Sequence, residues 1–130
     1  MQRELDWLRE AESELAAARD LVATGHWAWC RFTSQQVAEK ALKAICEAQR
    51  LNPYGHNLNM LVQVIESLGP VPPEVTDGSI RLNRFYIPTR YPDAFDQGAP
   101  SDQYFETDAR QALKDAEVIV SHARDALRST

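Results

Sequence analysis

Cysteine is nearly absent from this 130-residue chain. The two present, Cys30 and Cys46, fall on one expected helix. At ~1.5 Å of rise per residue they lie roughly 24 Å apart, far beyond disulfide reach. Long apolar runs are also missing, and none approaches the ~20 residues that cross a bilayer. The opening stretch, Met1-Gln2-Arg3-Glu4-Leu5-Asp6, is too charged for a signal peptide, so the expected location is cytoplasmic. Basic charge is in deficit: 14 Lys and Arg face 19 Asp and Glu, for a net charge of −5. That balance disfavours broad, non-specific nucleic-acid binding but leaves room for a local basic pocket. No P-loop, glycine-rich dinucleotide loop, catalytic triad or metal motif is found, and no Cys/His cluster has zinc-ligand spacing. No cofactor or metal is therefore expected.

What is present is the composition of an ordinary soluble globular domain, 44% hydrophobic and 25% charged. The length suits a single domain over residues 1–130, large enough for one real core. The periodicity predicts five helices and no strands. The first spans about Glu4 to Thr24, with Leu8, Ala11, Leu15, Ala18 and Val22 at helical spacing and Gly25 ending it. The second runs from Trp27 to about Gln49 and stops at Leu51-Asn52-Pro53-Tyr54-Gly55. The third begins at His56 or Asn57 and reaches Leu68, with Leu58, Leu61, Val62 and Ile65 on one side. Pro72 and Pro73 can open a fourth, which ends near Tyr86, before Pro88; Gly78 weakens its first half. The fifth is expected from Thr107 as N-cap to about Leu127. The fold class is all-α, an up-and-down bundle of four long helices plus a shorter one. The long irregular stretch from Ile87 to Glu106 is of a length that is often functional.

The second helix has two sharply different faces. Val37, Ala38, Ala41, Leu42, Ala44, Ile45, Cys46 and Ala48 fill an arc of roughly 200°, and Gln36, Glu39, Lys40, Lys43 and Glu47 fill one of roughly 100°. An apolar arc that wide places the helix in the middle of the bundle, with one polar stripe left open. Lys40 and Lys43 on that stripe could hold phosphate, with Gln36 and Glu39 beside them. A solvated face stitched by a Glu39/Lys43 pair explains the same residues. Trp29 and Phe32 fall on the polar arc, where they either pack on the first helix or form an apolar patch for a partner. In Arg90-Tyr91-Pro92-Asp93, proline fixes the backbone. Arg90 could then present its fork to phosphate, or pin the loop through an ion pair. His56, at a helix start, is a candidate proton acceptor or simply an exposed side chain.

Phe32-Thr33-Ser34-Gln35-Gln36-Val37-Ala38-Glu39-Lys40-Ala41-Leu42-Lys43-Ala44 resembles the second-helix signature of the HEPN domain family. Gly55-His56-Asn57-Leu58 resembles the family's loop before the third helix, and Arg90-Tyr91-Pro92-Asp93 its motif before the last. The match runs from about Asp6 to Leu127. The resemblance implies a homodimer, with Trp29 and Phe32 as its expected face. It also implies a nucleotide or RNA ligand and a small nucleotidyltransferase as partner, in a pair resembling a toxin–antitoxin module. The phosphate is expected between Lys40, Lys43 and Arg90, with Gln36 and Asp93 as neighbours. The alternative implied activity is a metal-independent endoribonuclease. Ribonucleases of this superfamily carry an arginine followed, after four to six intervening residues, by a histidine. Arg50 and His56 have a compatible spacing, as do Arg19 and His26, but neither pair falls near the start of the last helix. His122, which is in that helix, has no such arginine. A binding and interaction module is therefore the expected function.

Overall fold

The computed structural model describes residues 3–52, 55–84, 98–99 and 104–128, which form five helices and, among them, no strand. These are α1 (Arg3–Ala23), α2 (Trp27–Ala48), α3 (Leu58–Glu66), α4 (Pro73–Asn83) and α5 (Glu106–Arg128). The all-α bundle read from the periodicity is the fold observed. Helices α1, α2 and α5 run 21, 22 and 23 residues, whereas α3 and α4 run 9 and 11.

Local chemistry sets each boundary. Gly25 adopts φ 79°, a conformation glycine takes without steric cost. There its N–H reaches Val22 O at 3.1 Å and the His26 N–H reaches Leu21 O at 2.9 Å, a Schellman closure of α1. The same closure ends α2: Arg50 N–H bonds Glu47 O at 3.2 Å and Leu51 N–H bonds Cys46 O at 2.8 Å. Here Arg50, not a glycine, occupies the left-handed position, at φ 58°. Asn57 caps α3, its side chain accepting from the backbone N–H of Asn59 and Met60. Pro73 sits in the first turn of α4, where its missing N–H costs nothing. At α5 the expected N-cap is displaced. Thr107 lies inside the helix, and Asp108 Oδ2 accepts from the Phe105 N–H at 2.8 Å, the return half of a capping box.

Helix α2 packs against all four of the others. Its Ala38, Ala41 and Ala44 are fully buried, as are Ala11 of α1 and Ala116 of α5. Small side chains at these contacts let the axes approach closely, and Leu15, Leu42, Ile45, Leu58, Leu61, Leu82 and Ile119 fill the space between. A smaller cluster of Ala18, Val22, Cys30 and Ala109 closes the other end. Helix α4 meets α5 through Gly78. A Cβ there would stand 3.2 Å from Asp115 Cβ, so the bare backbone is what admits the buried Asp115. Gly78, which weakens the helical pattern in sequence, is thus a packing device. The expected extension of α4 to Tyr86 falls outside the described residues, the helix being described to Asn83.

Candidate functional site

The polar stripe of α2 is not open. Glu39 and Lys43 are buried, at 3% and 7% exposure, because α1 covers one side of the stripe and the segment before α3 covers the other. Glu39 Oε2 accepts from Lys43 Nζ at 2.8 Å and faces His56 Nδ1 at 2.9 Å. A carboxylate only accepts, so in this contact the imidazole Nδ1 is the donor. The His56 ring is exposed while Glu39 beneath it is not. Lys43 also lies over the Trp7 ring of α1, 5.4 Å from its centroid, a cation–π contact in a desolvated place. Glu39 Oε1 is buried without a hydrogen-bond partner among the described residues.

Lys40 turns to α1. It is ion-paired with Glu14 and lies 3.8 Å from Glu10. Burial holds the Glu14 carboxyl above its usual range, opposed by the hydrogen bond from Lys40. Gln36 donates to Gln35 Oε1 at 2.8 Å, and Gln35 reaches the His56 carbonyl at 3.4 Å. The two lysines thus face three carboxylates, Glu39, Glu14 and Glu10, and the stripe carries no surplus of positive charge.

Of the residues expected at a phosphate site, Gln36, Lys40 and Lys43 share one neighbourhood, while Arg90 and Asp93 lie outside the described residues. Arg50 and His56 are both exposed, one just after α2 and the other just before α3. Trp29 is 55% exposed, so packing on α1 does not account for it. Its ring meets Phe32 edge to face, with centroids 5.9 Å apart. Among the described residues no group of His, Cys, Asp and Glu could hold a metal, and no helix is long and apolar enough to cross a membrane. The pattern gave no sign that Arg31, Gln35 and Asp115 are buried. Each reads as an ordinary polar position, and only the partner elements show otherwise.

The helical architecture and the α2 network together define a compact all-α domain, and comparison with known proteins gives its class. The HEPN domain family model matches residues 5–126, and the chain belongs to that family. Among solved structures, TT1696 from Thermus thermophilus superposes with a TM-score of 0.93 at 34% identity, covering 98% of this chain and 100% of its own. ST0689, an archaeal HEPN homologue, gives 0.82 at 32% identity, with 98% and 99% covered. A HEPN domain protein (tm0613) from Thermotoga maritima gives 0.79 at 26% identity, with 96% and 99% covered. A protein of Methanocaldococcus jannaschii named "Putative toxin MJ1304" is 25% identical over 135 residues, 94% of this chain and 86% of that protein.

Proposed function

We propose that this chain is the HEPN half of a toxin–antitoxin-like pair. It acts in the cytoplasm as a homodimer that binds nucleotide or RNA phosphate and meets a nucleotidyltransferase partner. The observation that carries this reading is the similarity, along nearly the whole chain, to the protein named "Putative toxin MJ1304". The ligand class is the one that the resemblance to the HEPN family implies. Gln36, Lys40, Lys43, Arg90 and Asp93 are the proposed phosphate contacts. Lys40 and Lys43 would have to exchange carboxylates for the ligand, so binding there must compete with Glu14 and Glu39. Calorimetry with ATP, GTP and a short RNA tests the reading, comparing the wild type with Lys40→Ala and Arg90→Ala. Loss of one charged contact is expected to cost about 1.5–3 kcal/mol, roughly ten- to hundredfold in affinity. Equal binding by both variants would move the ligand elsewhere, and no binding by the wild type would end the phosphate reading.

A second reading, a metal-independent endoribonuclease using Arg50 and His56, is favoured by two observations. The His56 ring is exposed yet oriented by a buried carboxylate, as a proton-transferring imidazole needs. Arg50 holds a left-handed backbone position that glycine would occupy more cheaply, and strain of this kind clusters at functional sites. The expected result is no RNA cleavage that depends on His56. Cleavage of a structured RNA by pure protein, abolished in His56→Ala, would install the enzyme reading instead.

A further inference from the structure

The two short helices, α3 and α4, pack against each other and leave a groove between them that opens to solvent. Its volume is about 210 Å³, and Asn59, Val62, Gln63 and Glu66 of α3 face Thr76 and Ile80 of α4 across it. Val62 is buried and belongs to the main core, so it forms the floor. Ile80 is 38% exposed on one wall. Met60, one helical turn before Gln63, is 58% exposed beyond the other. Two of the six large hydrophobic side chains left exposed among the described residues therefore stand at this groove. Apolar side chains gathered at one exposed place mark a surface that meets something else.

The polar groups of the groove are not satisfied within the chain. Glu66 alone is charged among the described residues lining it. Its carboxylate makes no hydrogen bond or ion pair with any described residue. The Asn59 side-chain oxygen is buried without a hydrogen-bond partner among the described residues. A side-chain amide turns about its last bond at little cost, so Asn59 can offer either its oxygen or its NH2 to an occupant. Asn59 and Glu66 are seven positions apart, which sets them about 10 Å apart along α3.

The groove also discriminates among occupants. It is smaller than small-molecule sites, which run from roughly 300 Å³ upward, so it suits one or two inserted side chains. A second copy fits poorly, because a two-fold contact presents the same patch twice and this patch holds no cation to meet Glu66. A third helix fits well. Its side-chain ridge packs into the groove between two others, and its residues repeat on one face every three or four positions.

We propose that this groove receives an amphipathic helix of a partner protein. Large apolar side chains of that helix lie over Val62 and Ile80, a basic side chain meets Glu66, and an amide side chain meets Asn59. Charge complementarity with Glu66 fixes the sign of the partner's face, and the spacing along α3 puts its two polar residues two turns apart. The proposal goes beyond the functional reading and shares none of its residues, since neither the phosphate contacts nor Trp29 and Phe32 line this groove. Its failure therefore leaves that reading untouched.

The test is amide chemical-shift mapping of the isotope-labelled full chain with a capped helical peptide of about 15 residues. The peptide carries a glutamine and a lysine seven positions apart, with leucines between them at helical spacing, and is made in both sequence orders. One order is expected to shift the amides of Asn59, Gln63, Glu66, Thr76 and Ile80 and to leave those of Trp29 and Lys40 in place. Replacing the peptide lysine by glutamate should weaken binding on the order of tenfold. Glu66→Lys removes no described contact, so the fold is retained, and it should reverse the preference between the two peptides. A merely sticky apolar surface would show no such reversal. The proposal is overturned if neither order binds at about 1 mM, if the shifts fall elsewhere, or if Glu66→Lys leaves the preference unchanged. Groove shifts that grow with the concentration of the chain alone, without peptide, would assign the groove to a second copy and overturn it too.

Discussion

Arg81 grips Asp115 with two parallel hydrogen bonds, Nε to Oδ2 at 2.9 Å and Nη2 to Oδ1 at 2.8 Å. The pair clamps α4 to α5, and the Asp115 carboxylate holds the Arg81 pKa above its ordinary value. It also fixes Asp115 in place, with Gln111 as a third partner at 3.0 Å.

That rigidity decides the outcome of Gly78→Ala. Helix propensity alone favours alanine in a helix by about 1 kcal/mol. The new Cβ would stand 3.2 Å from the Asp115 Cβ, and a triply bonded Asp115 cannot move aside freely. Overpacking costs about 1–3 kcal/mol. Gly78→Ala is expected to lower the urea midpoint, whereas Asp115→Ala/Gly78→Ala should lose less than the two single changes summed. A stabilised Gly78→Ala protein would show that α4 can shift away from α5.

Arg50 predicts a change of opposite sign. A non-glycine residue at φ 58° carries a steric cost of about 1 kcal/mol. Arg50→Gly is expected to raise stability by about 0.5–1 kcal/mol in urea unfolding, with both closing hydrogen bonds of α2 retained. A loss of stability would mean that the Arg50 side chain makes a contact worth more than the strain.

Alkaline pH is expected to destabilise the fold through Cys46. Burial, reinforced by Glu47 and opposed by Lys43, pushes its thiol from 9.0 up to about 11. Between those values the folded chain holds more protons than the unfolded one, so stability falls as pH rises through this window. The full effect is about 2–3 kcal/mol. The difference in stability between wild type and Cys46→Ala, followed from pH 8 to pH 11, should change by that amount. A pH-independent difference would show that the thiol is not buried in solution.

The exposed Trp29, edge to face with Phe32, is expected to sit at a two-fold interface that uses the same patch twice. Trp29→Glu should weaken association while circular dichroism stays unchanged. Sedimentation of the wild type as a monomer at high concentration would end the idea.

Helix positions were legible in the sequence because apolar spacing and turn residues such as Gly25 act locally. The two faces of α2 were equally legible, but the burial of its polar face was not. Periodicity reports that Glu39 and Lys43 are charged. It does not report that Trp7 and His56, from other elements, cover them. Asp115 escaped for the same reason: on α5 it reads as a solvated position, and only Arg81 and Gly78 of α4 make it a buried one. The left-handed Arg50 carried no signal, since an arginine gives no hint of a positive φ.

The three-residue turn around Gly25 has a consequence for the order of assembly. Loop-closure entropy grows with the length of chain enclosed, so α1 can pair with α2 long before α5 finds the far side of α2. The bundle then grows from a local helical hairpin, with its last seam closed by the Arg81–Asp115 grip. Pulse-labelled hydrogen exchange should find amides of α1 and α2 protected ahead of those of α5, and simultaneous protection would point to a single concerted collapse.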